Sequence, residues 1–452
     1  MKWLFLALLL GAIIPATIWI RLNKKRVHYL WIVVGLFPFL VGPFHLVTAP
    51  ISWPTWLGYV KGLEITVLDA FAVAFCLGSP RLRSRLPFKL ALTFYMVAVV
   101  LSSFRSRIPT ASVFYIWQIA RMFLLYAAVA RGTQSLRMPY ALLSGMTLGM
   151  SYEAVLAASS RLAGVVQPGG TFGHQNSLGM STYFVLYPSF ALLLAGRKGW
   201  QPVVGVFTAL IVVVLTASRA TMGFAAIGLL LILMLSIKRG LTARKITLAL
   251  CGVLGLLVIV PAATMSLEGR FGKAAVFKTD GERNALEASA SAILSDYPLG
   301  IGPNMFALVS TTDGYSRAAG LTWRSTGSLV HNAYWLVAVE TGYLGLVAYV
   351  LLLASPICYS WPYLSRRYRD LRADMLAGYW VCLVVLYLHS LYEFVLLQWV
   401  LQSLLFMAFG LVFGLSIQMR VVRRYGAIKK PGRGPFFTYN DPEEPSASVH
   451  LV

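Results

Sequence analysis

The chain has 452 residues, 58% of them hydrophobic and only 12% charged, with a mean hydropathy of +0.71. That is about half the charge of an ordinary soluble domain, which excludes a soluble globular enzyme and leaves no length for a separate catalytic domain. The net charge of +23 does not point to nucleic acid, because the basic residues stand in short bursts between apolar runs, as membrane topology requires.

Apolar windows centre on residues 2–20, 29–49, 64–78, 88–103, 111–130, 139–160, 175–196, 202–216, 222–237, 246–265, 334–357, 375–391 and 394–415. Each is long enough, or nearly so, to cross a bilayer as a helix, predicting an all-α polytopic protein with about 12–13 transmembrane helices. The first window reads as an uncleaved helix stopped by Arg21-Leu-Asn-Lys-Lys-Arg26. Residues 43–63, with Pro43, Pro50 and Pro54, read as an interfacial or re-entrant piece that changes the helix count.

The links after windows one, three, five, seven, nine and eleven carry two to four Lys or Arg each and the tail carries six, whereas the intervening short links carry none to two. This alternation places the first set and the tail in the cytoplasm and the second set outside. Residues 1–425 are thus expected to form one membrane domain, and the Pro-, Gly- and charge-rich stretch 426–452 a disordered cytoplasmic tail.

One external link is long, residues 266–333, and its aromatic and aliphatic content predicts a folded, partly helical loop. Thr279-Asp-Gly-Glu282 reads as a capping box, followed by Leu286, Ala290, Ile293 and Leu294 at helical spacing. This places Arg283 in a first helical turn, where a guanidinium and helix-terminal N–H groups can share an anion. Gly300-Ile-Gly-Pro-Asn304 then reads as a tight loop.

Three further external features invite chemistry. Arg219 lies in the very short link Ala217-Ser-Arg-Ala220, as a snorkelling anchor or an anion site. His331, at the foot of the eleventh window with Asn332 and Tyr334 beside it, is either a polar cap or a general base. His174 and Asn176 close the glycine-rich stretch entering the seventh window. Two external Arg and one external His suit a diphosphate leaving group and an alcohol nucleophile. Within the membrane, Arg121 and Gln118 are expected to face the acids Glu64, Asp69 and Glu153 or a cavity, and His389 and Glu393 to line the external one. Cys76, Cys251, Cys358 and Cys382 show no metal or disulfide spacing, so no metal site is expected.

Taken in order, Gly170-Thr-Phe-Gly-His-Gln-Asn-Ser-Leu-Gly179, Thr216-Ala-Ser-Arg-Ala220, the Arg283 segment ending Tyr297-Pro-Leu-Gly-Ile-Gly302, and His331-Asn-Ala-Tyr-Trp335 with Glu340-Thr-Gly-Tyr-Leu-Gly345 resemble the O-antigen ligase and polymerase superfamily. The resemblance spans residues 165–350. It implies a C-type-like helical glycosyltransferase of the bacterial inner membrane, with a periplasmic active site, no cofactor and no metal. It implies an undecaprenyl-diphosphate-linked glycan as donor and, as acceptor, either lipid A core (a ligase) or another lipid-linked glycan (a polymerase). The family's basic positions fall on Arg219 and Arg283 and its loop histidine on His331, with Arg270, Arg317 and Arg324 as alternatives for the second phosphate contact. His174, Asn176, Asn332, Tyr334 and Arg324 would complete the substrate site. A solute transporter acting through Glu64, Asp69, Arg121 and Glu153 is the reading from a different class.

Overall fold

A computed structural model describes residues 2–428 except 45, 81, 83–85, 253–272, 323–324, 366–367 and 369. The chain is an all-α polytopic membrane protein. In lipid every backbone N–H and C=O must be satisfied within the segment, so the apolar windows become helices: α1 (Lys2–Leu22), α2 (Val27–Phe44), α3 (Val67–Gly78), α4 (Lys89–Ser103), α5 (Pro109–Gly132), α6 (Met138–Leu162), α7 (Gln175–Ala195), α8 (Trp200–Leu215) and α9 (Arg219–Lys238). Helix α10 is described over residues 243–252, and the rest of the tenth window lies outside the described residues. Then come α11 (Lys273–Asp296), α12 (Phe306–Thr312), α13 (Tyr315–Ala318), α14 (Ala333–Ser360), α15 (Leu371–His389) and α16 (Trp399–Ile428). Among the described residues eight helices are long and apolar enough to cross a membrane, and four apolar ones are shorter. The tail beyond residue 428 lies outside the described residues.

One reading gains detail and one expectation changes. Residues 43–63 hold no helix beyond the end of α2: Val47–Thr48 and Ile65–Thr66 pair as antiparallel strands β1 and β2, with Ser52 bridging Gly62. The segment Thr279–Glu282 is not a helix start either. Helix α11 already begins at Lys273, so Arg283 stands mid-helix, where backbone N–H groups are consumed by the preceding turn and offer nothing to an anion.

Contacts between links sort them onto two ends without reference to charge. At one end, Tyr59 Oη donates to Glu340 Oε2 at 2.7 Å, Asn304 Nδ2 donates to Val60 O at 2.7 Å, and Arg107 pairs with Asp313 at 2.5 Å. These bonds join the links after windows two and four to the long loop and to the first half of α14. At the other end Arg21 donates to Leu77 O, Arg239 pairs with Asp374 at 2.7 Å, and Gln418 Nε2 donates to Thr133 O. The poorly basic and the basic links thus form the two faces that the charge alternation separates.

The long loop docks onto a break in α14. Gly342 adopts φ 71, ψ −178, which releases hydrogen bonds that the helix would otherwise close. Tyr343 N donates instead to Pro298 O, while Ile301 N and Gly302 N donate to Val339 O and Glu340 O. A Cβ on Gly342 would lie 2.5 Å from Leu299 C, and one on Gly300 2.6 Å from Glu340 O. The Glu340-Thr-Gly stretch is therefore a docking seat for Gly300–Asn304, with the buried Glu340 carboxylate also accepting from Phe306 N at 3.1 Å.

Buried charged side chains inside the bundle are met by ion pairs or by hydrogen-bond donors. Arg121 Nε meets Asp69 Oδ2 at 2.9 Å, and its Nη1 lies 3.6 Å from Glu64 Oε2. Gln118 turns instead to Leu397 O and Gln402 Oε1, both at 2.8 Å. Glu153 does not join them: it accepts from Thr171 N and Oγ1, anchoring the glycine-rich link. Gly342→Ala combines a left-handed φ with a backbone clash, so it should cost about 1–3 kcal/mol. Thermal unfolding in detergent should show a clearly lower midpoint, and an unchanged midpoint would contradict the seat.

Candidate functional site

The site lies at the poorly basic end and is organised by a residue of the short segment between α15 and α16. Glu393, its side chain 2% exposed, follows His389 by one turn. Its Oε1 accepts from Arg283 Nη2 at 3.2 Å and from Asn176 Nδ2, and its Oε2 lies 3.3 Å from His331 Nδ1. One carboxylate thus gathers side chains from α7, α11 and the segment before α14.

Each partner is held by its own local structure. Asn176 sits in the first turn of α7, whose N-cap is His174, its Nδ1 accepting from Asn176 N at 3.3 Å. An accepting Nδ1 requires the proton on Nε2, and burial keeps the His174 imidazole below its ordinary pKa. His331 is fixed by the cap that follows it: Asn332 Oδ1 accepts from Tyr334 N at 3.0 Å and Trp335 N at 3.2 Å. Ala333 N donates to Ser390 O at 2.9 Å, tying this turn to the Glu393 segment. Helix α11 carries Arg283 through a face of buried Leu286, Ala290, Ile293 and Leu294, the residues whose helical spacing stands out in the sequence.

Burial alone would push the Glu393 carboxyl up. The hydrogen bond and charge of His331, and the charges of Arg283 and His174, outweigh it and hold the group below the usual carboxylate range. Arg283 and His331 remain 35% and 32% exposed while Glu393 does not. The arrangement therefore offers a guanidinium and an imidazole to a ligand from a buried anionic anchor.

The other expected residues divide. Arg219 opens α9 with its side chain exposed at the same end. Ser218 caps that helix by accepting from Thr221 N at 3.3 Å, after Ala217 at φ 46. The start of α9 is seated on α7 by Tyr183 Oη, which donates to Thr221 O and shares a 3.0 Å bond with His389 Nδ1. His389 itself is fully buried and stacked on Phe224. Asn332 spends its oxygen as a cap, and Tyr334 Oη donates to Tyr387 O at 2.9 Å within helix packing. Arg324 lies outside the described residues. Glu393 stood in the sequence only as a wall residue; the signal for more was a lone acid at the external edge of an apolar window, which needs cationic partners.

Residues 204–350 match the family model described as O-antigen ligase. No curated protein matches the chain. The match supports the O-antigen ligase and polymerase superfamily, whose coarse meaning is a glycan-processing membrane enzyme. Arg219, Arg283 and His331 fall inside the matched segment, and Asn176 and Glu393 outside it.

A carboxyl held low in the fold stabilises it above the unfolded value, near 4.3 for Glu, and this contribution disappears as pH falls through the folded value. Wild type should therefore melt above Glu393→Gln at pH 7, with the gap closing as the buffer is taken below about pH 4. A gap independent of pH would show that the carboxylate charge does not hold the cluster.

Proposed function

With residues 204–350 of ligase-family type as the premise, we propose that the chain is an inverting glycosyltransferase. It moves a glycan from undecaprenyl diphosphate to an acceptor hydroxyl at the periplasmic face of the bacterial inner membrane, ligating O-antigen to lipid A core. The observation that carries the reading is the Glu393 carboxylate between Arg283 and His331. With its Nδ1–H donated to Glu393, a neutral His331 presents the lone pair of Nε2, which takes the proton of the attacking hydroxyl. Glu393 stabilises the imidazolium that results.

Cleavage of the bond from the anomeric carbon to the diphosphate leaves negative charge on the departing phosphates. Arg283, 35% exposed beside Glu393, and Arg219, exposed at the start of α9, neutralise that charge as it develops. No covalent enzyme intermediate is needed, because the acceptor oxygen attacks as the phosphate leaves. The family match at residues 204–350 favours this reading over a solute transporter.

The test is transfer in nanodiscs containing an undecaprenyl-diphosphate glycan and lipid A core glycolipid. Glycan should appear on the core, and His331→Ala should slow it by about 10²–10⁴. Lengthened lipid-linked chains in place of glycosylated core would make the enzyme a polymerase. Transfer undiminished in His331→Ala would remove the base.

A further inference from the structure

One buried imidazole has no part in the chemistry above. His389 ends α15 fully buried, its Nδ1 3.0 Å from Tyr183 Oη and its Nε2 without a hydrogen-bond partner among the described residues. Tyr183 Oη also lies 3.3 Å from Thr221 O, in the first turn of α9. The hydroxyl has a single proton to give. If Nδ1 took that proton, the ring would carry its own on Nε2, so a buried N–H would go unmet and the bond to Thr221 O would be lost. With the ring proton on Nδ1, His389 donates to Tyr183 and Tyr183 donates to Thr221 O. Both bonds then form, and no buried donor of the three groups is wasted.

This relay connects the two parts of the site. At one end it grips the start of α9, two residues after Arg219. Phe224 on the same helix stacks on the His389 ring at 4.9 Å, and its carbonyl accepts from Tyr187 Oη at 2.9 Å. A Cβ on Gly179 would lie 2.3 Å from Thr221 Oγ1, so α9 is pressed closely on α7 here. At the other end, His389 O accepts from Tyr392 N at 2.9 Å, beside Glu393, and Ser390 O accepts from Ala333 N in the turn that carries His331.

We propose that His389 is a positioning residue: as donor to Tyr183 it fixes the first turn of α9 on the Glu393 segment and so sets where Arg219 stands relative to Arg283 and His331. The inference rests on the glycosyltransferase reading, in which both guanidinium groups meet one leaving diphosphate. It singles out one ring nitrogen. An Asn side chain can place an amide N–H near the position of Nδ1, whereas Gln carries its amide further out, toward that of Nε2.

The test compares His389→Asn, His389→Gln and Tyr183→Phe, each alone and combined with Arg219→Ala, in the nanodisc transfer assay. His389→Gln and Tyr183→Phe should lower kcat by about 10–100-fold with the donor KM little changed, as displacement of a transition-state contact does. In the Arg219→Ala background they should cost nothing further, because the group they position is gone. His389→Asn should retain most of the rate. Equal losses in His389→Asn and His389→Gln, or losses that multiply with that of Arg219→Ala, would overturn the positioning role. Nitrogen NMR of histidine-labelled protein, which needs no turnover, should find the His389 proton on Nδ1, and a proton on Nε2 would overturn the relay. A wild type with that proton in place that transfers no glycan to either acceptor would overturn the glycosyltransferase reading, and the positioning role with it.

Discussion

The buried carboxylate of Glu393 is the interaction on which the candidate site depends. An anion that is 2% exposed persists only if its oxygens are met by donors and its charge by cations, and here the donors come from α7, α11 and the turn before α14. None of these segments is adjacent in sequence. The need to satisfy one carboxylate therefore does what no local propensity can: it sets the mutual placement of an imidazole and a guanidinium that are both left partly open. A site built this way is anchored from below, and its reactive atoms need no support from the ligand side.

The bilayer imposes a second constraint, that every backbone group be paired, and α14 shows how the fold meets it while breaking a helix. The left-handed Gly342 interrupts the ladder, and the loop at Pro298–Gly302 supplies the replacement partners. The exchange docks residues 298–302 of the long loop on the bundle. Because α11 belongs to that loop, Arg283 inherits its position from the break. Glycines at 300 and 342 are required at the contact because the two backbones approach too closely for a Cβ.

Buried charges within the bundle follow the same economy. Arg121 is bonded to Asp69 and lies 3.6 Å from Glu64, and Glu153 ties down the glycine-rich link that carries His174 and Asn176. Among the described residues only the Glu393 group combines strong burial of the anion with exposure of its cationic partners. That contrast separates a site able to take a ligand from groups serving the scaffold.

The amino-acid sequence by itself determined the helices, their order and the sorting of links onto two faces. Apolar run length and local basic charge are properties of contiguous residues, and the bilayer reads them directly. It also marked Arg219, Arg283 and His331, because an isolated charge or imidazole at the end of an apolar run is anomalous wherever it lies. Only the tertiary structure decided that Thr279–Glu282 lies within α11, that residues 47–66 form a hairpin seated by Tyr59 and Asn304, and that Glu393 is the hub. Each of these turns on a partner distant in sequence: 281 residues separate Tyr59 from Glu340, and 217 separate Asn176 from Glu393. Pairing across such spans is an outcome of packing, in which burial makes a hydrogen bond obligatory only once the fold has excluded water.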